Sequence, residues 1–215
     1  HDDIINTTWA NGMAVYIQQN TDEPKYRLWN GTNFTEELSA PTVDTPTFDI
    51  NWVELKANHE RDEMILGTFD GEKDVNILIY NESGEWEDPV EVTQLMSDND
   101  EDTMAIEFED VSGDGVIMYK SANANDGIIS WRTWNGSAIS VESNWSYGTT
   151  GISSVIRSKP KVGTDEIYFI MLDSLYDLHG FKWNGTQIVN LSSNPARNKI
   201  VEDISSADEP AFDFD

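Results

Sequence analysis

The chain reads Tyr26-Arg27-Leu28-Trp29-Asn30-Gly31-Thr32-Asn33-Phe34 near its start, an alternating strand that leads through an aromatic residue and an Asn-Gly turn into a second strand. Nearly the same pattern recurs at residues 131–139 and 180–188, and at residues 78–86 a longer Glu82-Ser83-Gly84 turn replaces the Asn-Gly turn. The aromatic residues before the turns are 51, 54 and 49 residues apart: Trp29, Tyr80, Trp134 and Trp183. This spacing indicates a repeat of about fifty residues that contains several short strands.

Alternation of apolar and polar residues, bounded by turn-forming residues, predicts the strands of each repeat. They are 13–18, 25–29 and 34–38 in the first repeat; 52–57, 63–69, 75–80 and 86–94 in the second; 104–109, 116–120, 128–134 and 138–143 in the third; and 152–158, 166–172, 178–183 and 187–191 in the fourth. We therefore predict an all-β fold, a β-propeller-like array of four blades with four antiparallel strands each, in a single domain over residues 1–215. The blades span 1–40, 41–96, 97–145 and 146–195.

The first repeat lacks an evident first strand, which must come from residues 3–9 or from elsewhere in the chain. Residues 207–215 resemble residues 43–51, which lead into the first strand of the second repeat. We expect the terminal segment, residues 196–215, to provide a strand that completes the open first blade, because closure removes a free sheet edge. The alternative is exchange of this strand with a neighbouring molecule.

The composition limits the partners that the protein can have. Forty Asp and Glu residues oppose 13 Lys and Arg residues, which gives a net charge of −27. Such a surface repels nucleic-acid phosphates and anionic lipid, so neither is an expected partner. Divalent cations, high salt or a cationic partner suit it, and solubility alone is the alternative explanation.

The location is predicted from three further features. The chain has no cysteine, and a disulfide-free exported protein fits a bacterial or archaeal exterior. No apolar run approaches the roughly twenty residues that span a bilayer, so we predict no membrane insertion. The chain opens at His1 without a basic and apolar leader, which indicates a processed or excised segment. We predict an extracellular or cell-surface protein.

The turns carry two predictions. Asn-Gly between strands favours a type I′ hairpin turn, with positive φ at both residues, at Asn30, Asn135 and Asn184. We expect the preceding aromatic residue to pack in the core between blades, and stacking on a ligand is the alternative. Eight Asn residues also begin N-glycosylation sequons. The alternative is that the preference of turns for Asn and of strands for Thr generates these triplets without glycosylation. The predicted glycosylation sites are Asn6, Asn30, Asn33, Asn81, Asn135, Asn144, Asn184 and Asn190.

One loop has a pattern associated with metal binding. Asp110-Val111-Ser112-Gly113-Asp114-Gly115 resembles the calcium loops of integrin-type propeller repeats, although it lacks their downstream acidic ligand. The resemblance implies calcium as a cofactor, with Asp110, Ser112 and Asp114 as ligands, since calcium takes six to eight oxygen ligands. A tight turn without metal is the alternative.

Catalytic signatures are missing from the sequence. His1, His59 and His179 are scattered without metal-ligand spacing, and there is neither a cysteine nor a Gly-x-Ser-x-Gly motif. Because the chain has forty carboxylates, a glycosidase-like pair of acids is possible by number alone and is no evidence of catalysis. We therefore assign no catalytic residue and expect a protein that is not an enzyme.

The whole-chain pattern looks like the secreted sialidase-like and kelch-like β-propeller repeats of archaea and bacteria. The kelch Gly-Gly doublet is absent, and the sialidase Asp-box is approached only at residues 81–86, with different spacing. The five arginines are interpreted as lying at non-equivalent positions of the repeat, so sialidase activity is not implied: Arg27, Arg61, Arg132, Arg157 and Arg197.

These observations lead to two functional expectations. The first is a non-enzymatic structural or adhesion protein of the cell surface, a subunit of a surface layer or filament that is joined through terminal strands. Its partners would be further copies of itself or other surface proteins. The alternative is a secreted β-propeller that binds or processes carbohydrate, with glycans as partners.

Overall fold

The computed structural model describes residues 12–18, 21–43, 50–71, 73–93, 103–120, 127–148, 151, 153–191 and 199–201. Those residues form strands, turns and irregular segments, with no helix among them, and so none that is long and apolar enough to cross a membrane. The strands are β1 Gly12–Tyr16, β2 Lys25–Trp29, β3 Leu38–Ser39, β4 Ile50–Asn58, β5 Glu63–Asp70, β6 Val75–Tyr80, β7 Val90–Thr93, β8 Met104–Phe108, β9 Gly115–Lys120, β10 Ile128–Trp134, β11 Ser143–Ser146, β12 Ser153–Pro160, β13 Ile167–Asp173, β14 Leu178–Trp183, β15 Ile188–Asn190 and β16 Lys199–Val201.

The strands make four antiparallel sheets, in which successive strands pair as neighbours. Sheet I contains β1 to β3, sheet II β4 to β7, sheet III β8 to β11, and sheet IV β12 to β15 with β16 paired to β14. The prediction of an all-β fold with four sheets is confirmed. Of the predicted terminal segment, residues 199–201 form β16 in sheet IV, and residues 207–215 lie outside the described residues. Completion of the first blade by that segment stays a prediction.

The third strand predicted for each full repeat agrees with the structure to the residue, at 75–80, 128–134 and 178–183. The last strand begins later than predicted in the second and third repeats, at Val90 and Ser143. Single bridges stand at the predicted positions instead, such as Tyr80 with Trp86 and Trp134 with Ile139. The alternating pattern therefore located the hairpin but not the break in pairing that follows its first bridge.

The chain divides into two compact units, residues 1–95 and 96–215, each of which contains two sheets. In the first unit, apolar side chains of sheets I and II share one core, in which Tyr26 meets Leu66 and Leu78. Tyr26, Tyr80 and Trp86 form an aromatic cluster there, with ring centroids 4.9 to 6.1 Å apart. These rings fix the packing of the two sheets, since aromatic pairs favour edge-on and tilted contacts.

The second unit has an equivalent core between sheets III and IV. Val116, Met118 and Ile129 of sheet III pack with the sheet IV residues of the same cluster, which include Phe169 and Phe181. Trp131 meets Trp183 with ring centroids 4.9 Å apart. The predicted blade boundaries and the prediction of a single domain remain predictions.

The Asn-Gly turns differ from the predicted type I′ geometry. Only the glycine has positive φ, for example 91° at Gly31, whereas Asn30 does not. The Asn30 side-chain oxygen accepts the backbone N–H groups of Thr32 and Asn33, both at 2.9 Å. The side chain thereby takes the place of a backbone carbonyl in the turn, so Asn needs no left-handed conformation. Asn81, Asn135 and Asn184 accept equivalent bonds.

Candidate functional site

One face of sheet I combines aromatic and charged side chains. Alternation along β2 puts Arg27 and Trp29 on the side opposite to the core residues Tyr26 and Leu28. The strand register adds Tyr16 from β1, opposite Lys25, and Phe34, which is bridged to Trp29. We call the set Tyr16, Arg27, Trp29, Phe34 and Glu37 the aromatic–arginine face.

The two rings of this face are accessible. Trp29 and Phe34 lie with ring centroids 5.1 Å apart at an interplanar angle of 56°. Phe34 is 51% exposed and Trp29 is half-buried. The equivalent aromatic residues of the other repeats, Tyr80, Trp134 and Trp183, are all buried. Core packing was thus predicted correctly for three repeats, and the first repeat departs from it.

The polar groups of the face form a connected network. The Tyr16 hydroxyl donates to Glu37 Oε2 at 2.5 Å, and Arg27 Nε donates to the Tyr16 oxygen at 3.4 Å. Arg27 Nη1 donates to the carbonyl of Thr35 at 3.1 Å, which ties the side chain to the returning strand. The bond to Tyr16 raises the pKa of Arg27, and the negative charges of Glu37 and Glu36 add to the effect. The Tyr16 hydroxyl therefore connects the guanidinium of Arg27 to the carboxylate of Glu37.

The neighbouring cation on the same face is also paired. Lys25 Nζ lies 2.5 Å from Glu23 Oε2 and donates to Ser39 Oγ at 2.6 Å. The hydrogen bond from Lys25 lowers the pKa of Glu23 below its usual value, although burial acts in the opposite direction. Each of the two cations on this face, Lys25 and Arg27, thus has a carboxylate nearby.

The second unit contains a copy of the same network. Arg132 Nε donates to the Tyr119 hydroxyl at 3.1 Å, and Tyr119 donates to Glu142 at 2.9 Å. Arg132 Nη1 donates to the carbonyl of Ser140 at 3.0 Å, as Arg27 does to that of Thr35. In this copy Tyr119 and Trp134 are 0% and 4% exposed.

The interpretation of the arginines as non-equivalent was wrong for two of them. Arg27 and Arg132 both lie two residues before the aromatic residue of their repeat, at Trp29 and Trp134. A hydroxyl residue follows each arginine by eight positions and a glutamate by ten. This shared spacing is the sequence signal that indicates the network.

The predicted calcium loop forms a turn that contacts the neighbouring sheet. Asp110 Oδ2 accepts the N–H of Gly163 at 2.6 Å, and Asp165 Oδ1 accepts the N–H of Ser112 at 2.9 Å. The Ser112 hydroxyl accepts the N–H of Asp114 at 2.9 Å. In the described ranges, no three or more His, Asp or Glu side chains are grouped as metal ligands. Calcium binding by Asp110, Ser112 and Asp114 stays a prediction.

A buried acidic side chain lies beside this turn. Glu109 is 5% exposed, accepts a hydrogen bond from the Trp183 indole nitrogen and another from the Ser112 hydroxyl. Burial raises the pKa of Glu109, and the negative charges of Asp165 and Asp114 raise it further, while the two hydrogen bonds oppose the change. The group links sheet III to sheet IV rather than facing solvent.

His179, for which the sequence suggested no role, pairs with an acid in the core. Its Nε2 donates to Asp173 Oδ2 at 2.9 Å, and both side chains are fully enclosed. The Tyr147 ring packs against the imidazole, with ring centroids 5.0 Å apart. Burial alone would raise the pKa of Asp173, but the hydrogen bonds from His179 and from two backbone N–H groups hold it below its usual value. Because both side chains are enclosed, we interpret this pair as part of the core and not as a binding site.

The predicted glycosylation sites differ in exposure. Asn30, Asn33, Asn135, Asn144 and Asn184 are exposed. Asn81 and Asn190 are half-buried, and Asn6 lies outside the described residues. Glycosylation at each of these sites stays a prediction.

Comparison with known proteins gives a structural match to a lectin. No protein-family model matches the chain, and no curated protein matches it by sequence. Its structure is similar to the BP39L lectin from Burkholderia pseudomallei, known from a crystal structure at 1.7 Å resolution, with a TM-score of 0.60 and 9% sequence identity. The match covers 85% of this chain and 52% of the lectin, so the chain spans about half of the lectin's length. Likeness at this identity concerns the fold alone.

Proposed function

We propose that this protein binds carbohydrate through the aromatic–arginine face of sheet I. The observation that carries the proposal is the accessible Trp29–Phe34 ring pair beside the hydrogen-bonded Tyr16–Arg27–Glu37 network. A sugar offers an apolar face of C–H groups that packs on an aromatic ring, and a rim of hydroxyls that both donate and accept hydrogen bonds. Arginine supplies donors, glutamate supplies acceptors and tyrosine supplies both, so the face suits the two sides of a sugar ring.

The fold supports the same proposal. The chain resembles a bacterial lectin in structure, and we propose that its four sheets are blades of a β-propeller-like array. The expectation of adhesion, surface-layer or filament assembly has no support in the described residues, and the terminal residues 207–215 on which it depends lie outside them. An extracellular location remains part of the proposal.

Binding to a broad glycan array, followed by calorimetry with the best ligand, tests this function. Trp29→Ala is expected to weaken the affinity about tenfold or more, because removal of the ring takes away most of the surface on which the sugar packs. The control is Val162→Ala, a change at an 85% exposed side chain in the turn between β12 and β13, which should leave the affinity unchanged. Silence across the array, with a folded protein, would contradict the proposal.

A further inference from the structure

We infer that the ligand of the aromatic–arginine face is an uncharged glycan with neighbouring hydroxyls, bound once per chain although the Tyr–Arg–Glu network occurs twice. This inference rests on the proposed function. It concerns which sugars bind and how many sites are open, neither of which the proposed function specifies.

The first step is the charge of the face. Arg27 has Tyr16 and Glu37 beside it, and Lys25 is paired with Glu23 at 2.5 Å. Neither cation is left as an isolated positive charge that would attract a carboxylate or sulfate. The chain as a whole carries a net charge of −27, so an acidic sugar approaches against a repulsive field. A ligand without charge escapes this penalty.

The second step is the arrangement of hydrogen-bonding groups. The Tyr16 hydroxyl joins the Arg27 guanidinium to the Glu37 carboxylate, so donor and acceptor groups stand side by side. Adjacent hydroxyls on one sugar ring complement this arrangement, because one can donate to the carboxylate while the next accepts from the guanidinium. A ligand carboxylate offers acceptors only and would place its charge against that of Glu37.

The third step is the difference between the two copies. In the first unit the ring next to the network is accessible, since Phe34 is 51% exposed and Trp29 is half-buried. In the second unit Tyr119 is 0% exposed and Trp134 is 4% exposed, so the ring cannot stack on a ligand. The second copy therefore holds its sheet together without providing a binding site.

The experiment is titration calorimetry on the full chain with the best neutral oligosaccharide from the array and with its counterpart oxidised to a uronic acid. We expect a stoichiometry of one and an affinity for the acidic counterpart about tenfold weaker at low salt, with a smaller difference at about 1 M NaCl, where charges are screened. Phe34→Ala, a change at an exposed ring, should weaken binding and serves in place of Trp29→Ala should the latter fail to fold.

The outcomes separate the inference from the proposed function. Tighter binding of the acidic sugar, or two sites per chain, overturns the inference and leaves carbohydrate binding intact. No binding of any glycan overturns the proposed function itself. Sedimentation of the unliganded protein tests whether a second copy of the chain, rather than a glycan, occupies this face. A dimer that Phe34→Ala converts to a monomer would show that it does, and would overturn the inference.

Discussion

Among single residues, His179 and Asp173 form a fully buried hydrogen-bonded pair that we expect to stabilise the fold. His179→Phe keeps a ring against Tyr147 but removes the hydrogen bond to the Asp173 carboxylate. We expect the free energy of unfolding to fall by about 1–3 kcal/mol, the usual effect of taking a partner from a buried polar group. Urea denaturation measures the change, and His59→Phe, at an exposed site, is the control and should change stability little.

The same pair predicts a dependence on pH. The pKa of Asp173 is lower in the folded chain than in the unfolded chain, so its stabilising contribution is present above the unfolded value of 3.8 and is lost as the pH falls through the lower folded value. In His179→Phe, Asp173 remains buried but loses the hydrogen bond from His179 that stabilises its charged form. The pKa of Asp173 is therefore higher in the variant than in the natural chain. The stability difference between the natural chain and the variant should therefore be largest near neutral pH and should shrink as the pH falls through the folded value of the natural chain, where the carboxyl is protonated in both. A difference that stays constant down to acid pH would show that His179 does not stabilise the carboxylate.

Glu109 shows the opposite behaviour. Its pKa is raised in the folded chain, so its ionisation opposes folding, and stability is lost as the pH rises through the folded value. Glu109→Gln keeps an oxygen for the Trp183 indole and removes the buried charge. We expect its melting temperature at about pH 7 to rise by about 2 °C, with the gain shrinking in acid, where Glu109 is protonated. A melting temperature that falls at neutral pH would mean that the charge itself is needed.

Among the structural elements, the hairpin turns depend on an Asn side chain. Asn135 Oδ1 accepts the N–H groups of Ser137 at 3.1 Å and Ala138 at 2.9 Å. Asn135→Ala removes the acceptor of both bonds and should cost about 1 kcal/mol in the free energy of unfolding. Asn135→Asp keeps an oxygen in the same place and should cost much less. Equal losses in the two variants, measured by urea denaturation, would contradict the role of the side chain.

The strands could be predicted from sequence because alternation and turn residues are local properties of the chain. The central strands at 75–80, 128–134 and 178–183 begin and end as predicted. The type I′ turn was not predicted correctly, since the Asn side chain replaces a backbone acceptor and relieves Asn30 of positive φ. The exposure of Trp29 could not be predicted either, because the Trp-Asn-Gly sequence that it begins also occurs at the buried Trp134 and Trp183.

At the scale of the whole molecule, the candidate site could not be predicted from local sequence, because its residues come together only through strand pairing. Tyr16, Arg27 and Glu37 are up to 21 residues apart, and only strand pairing brings them together. The recurrence of the network at Tyr119 and Arg132 was visible in the sequence as shared spacing, but which copy is accessible depends on what covers each sheet. Periodicity therefore predicts the repeated unit, and burial distinguishes the accessible copy from the enclosed one.

The net charge of −27 leads to a last prediction for the whole chain. Forty carboxylates at close quarters repel one another in the compact state, and salt screens this repulsion within about 10 Å at 0.1 M and about 3 Å at 1 M. We expect the melting temperature to rise steadily between about 0.05 M and 1 M NaCl, and to rise similarly with KCl, because screening depends on ionic strength and not on the ion. Sucrose at matched osmolarity is the control, since it carries no charge. If the melting temperature stays constant in salt, or rises as much in sucrose, then charge repulsion does not limit the stability of this fold.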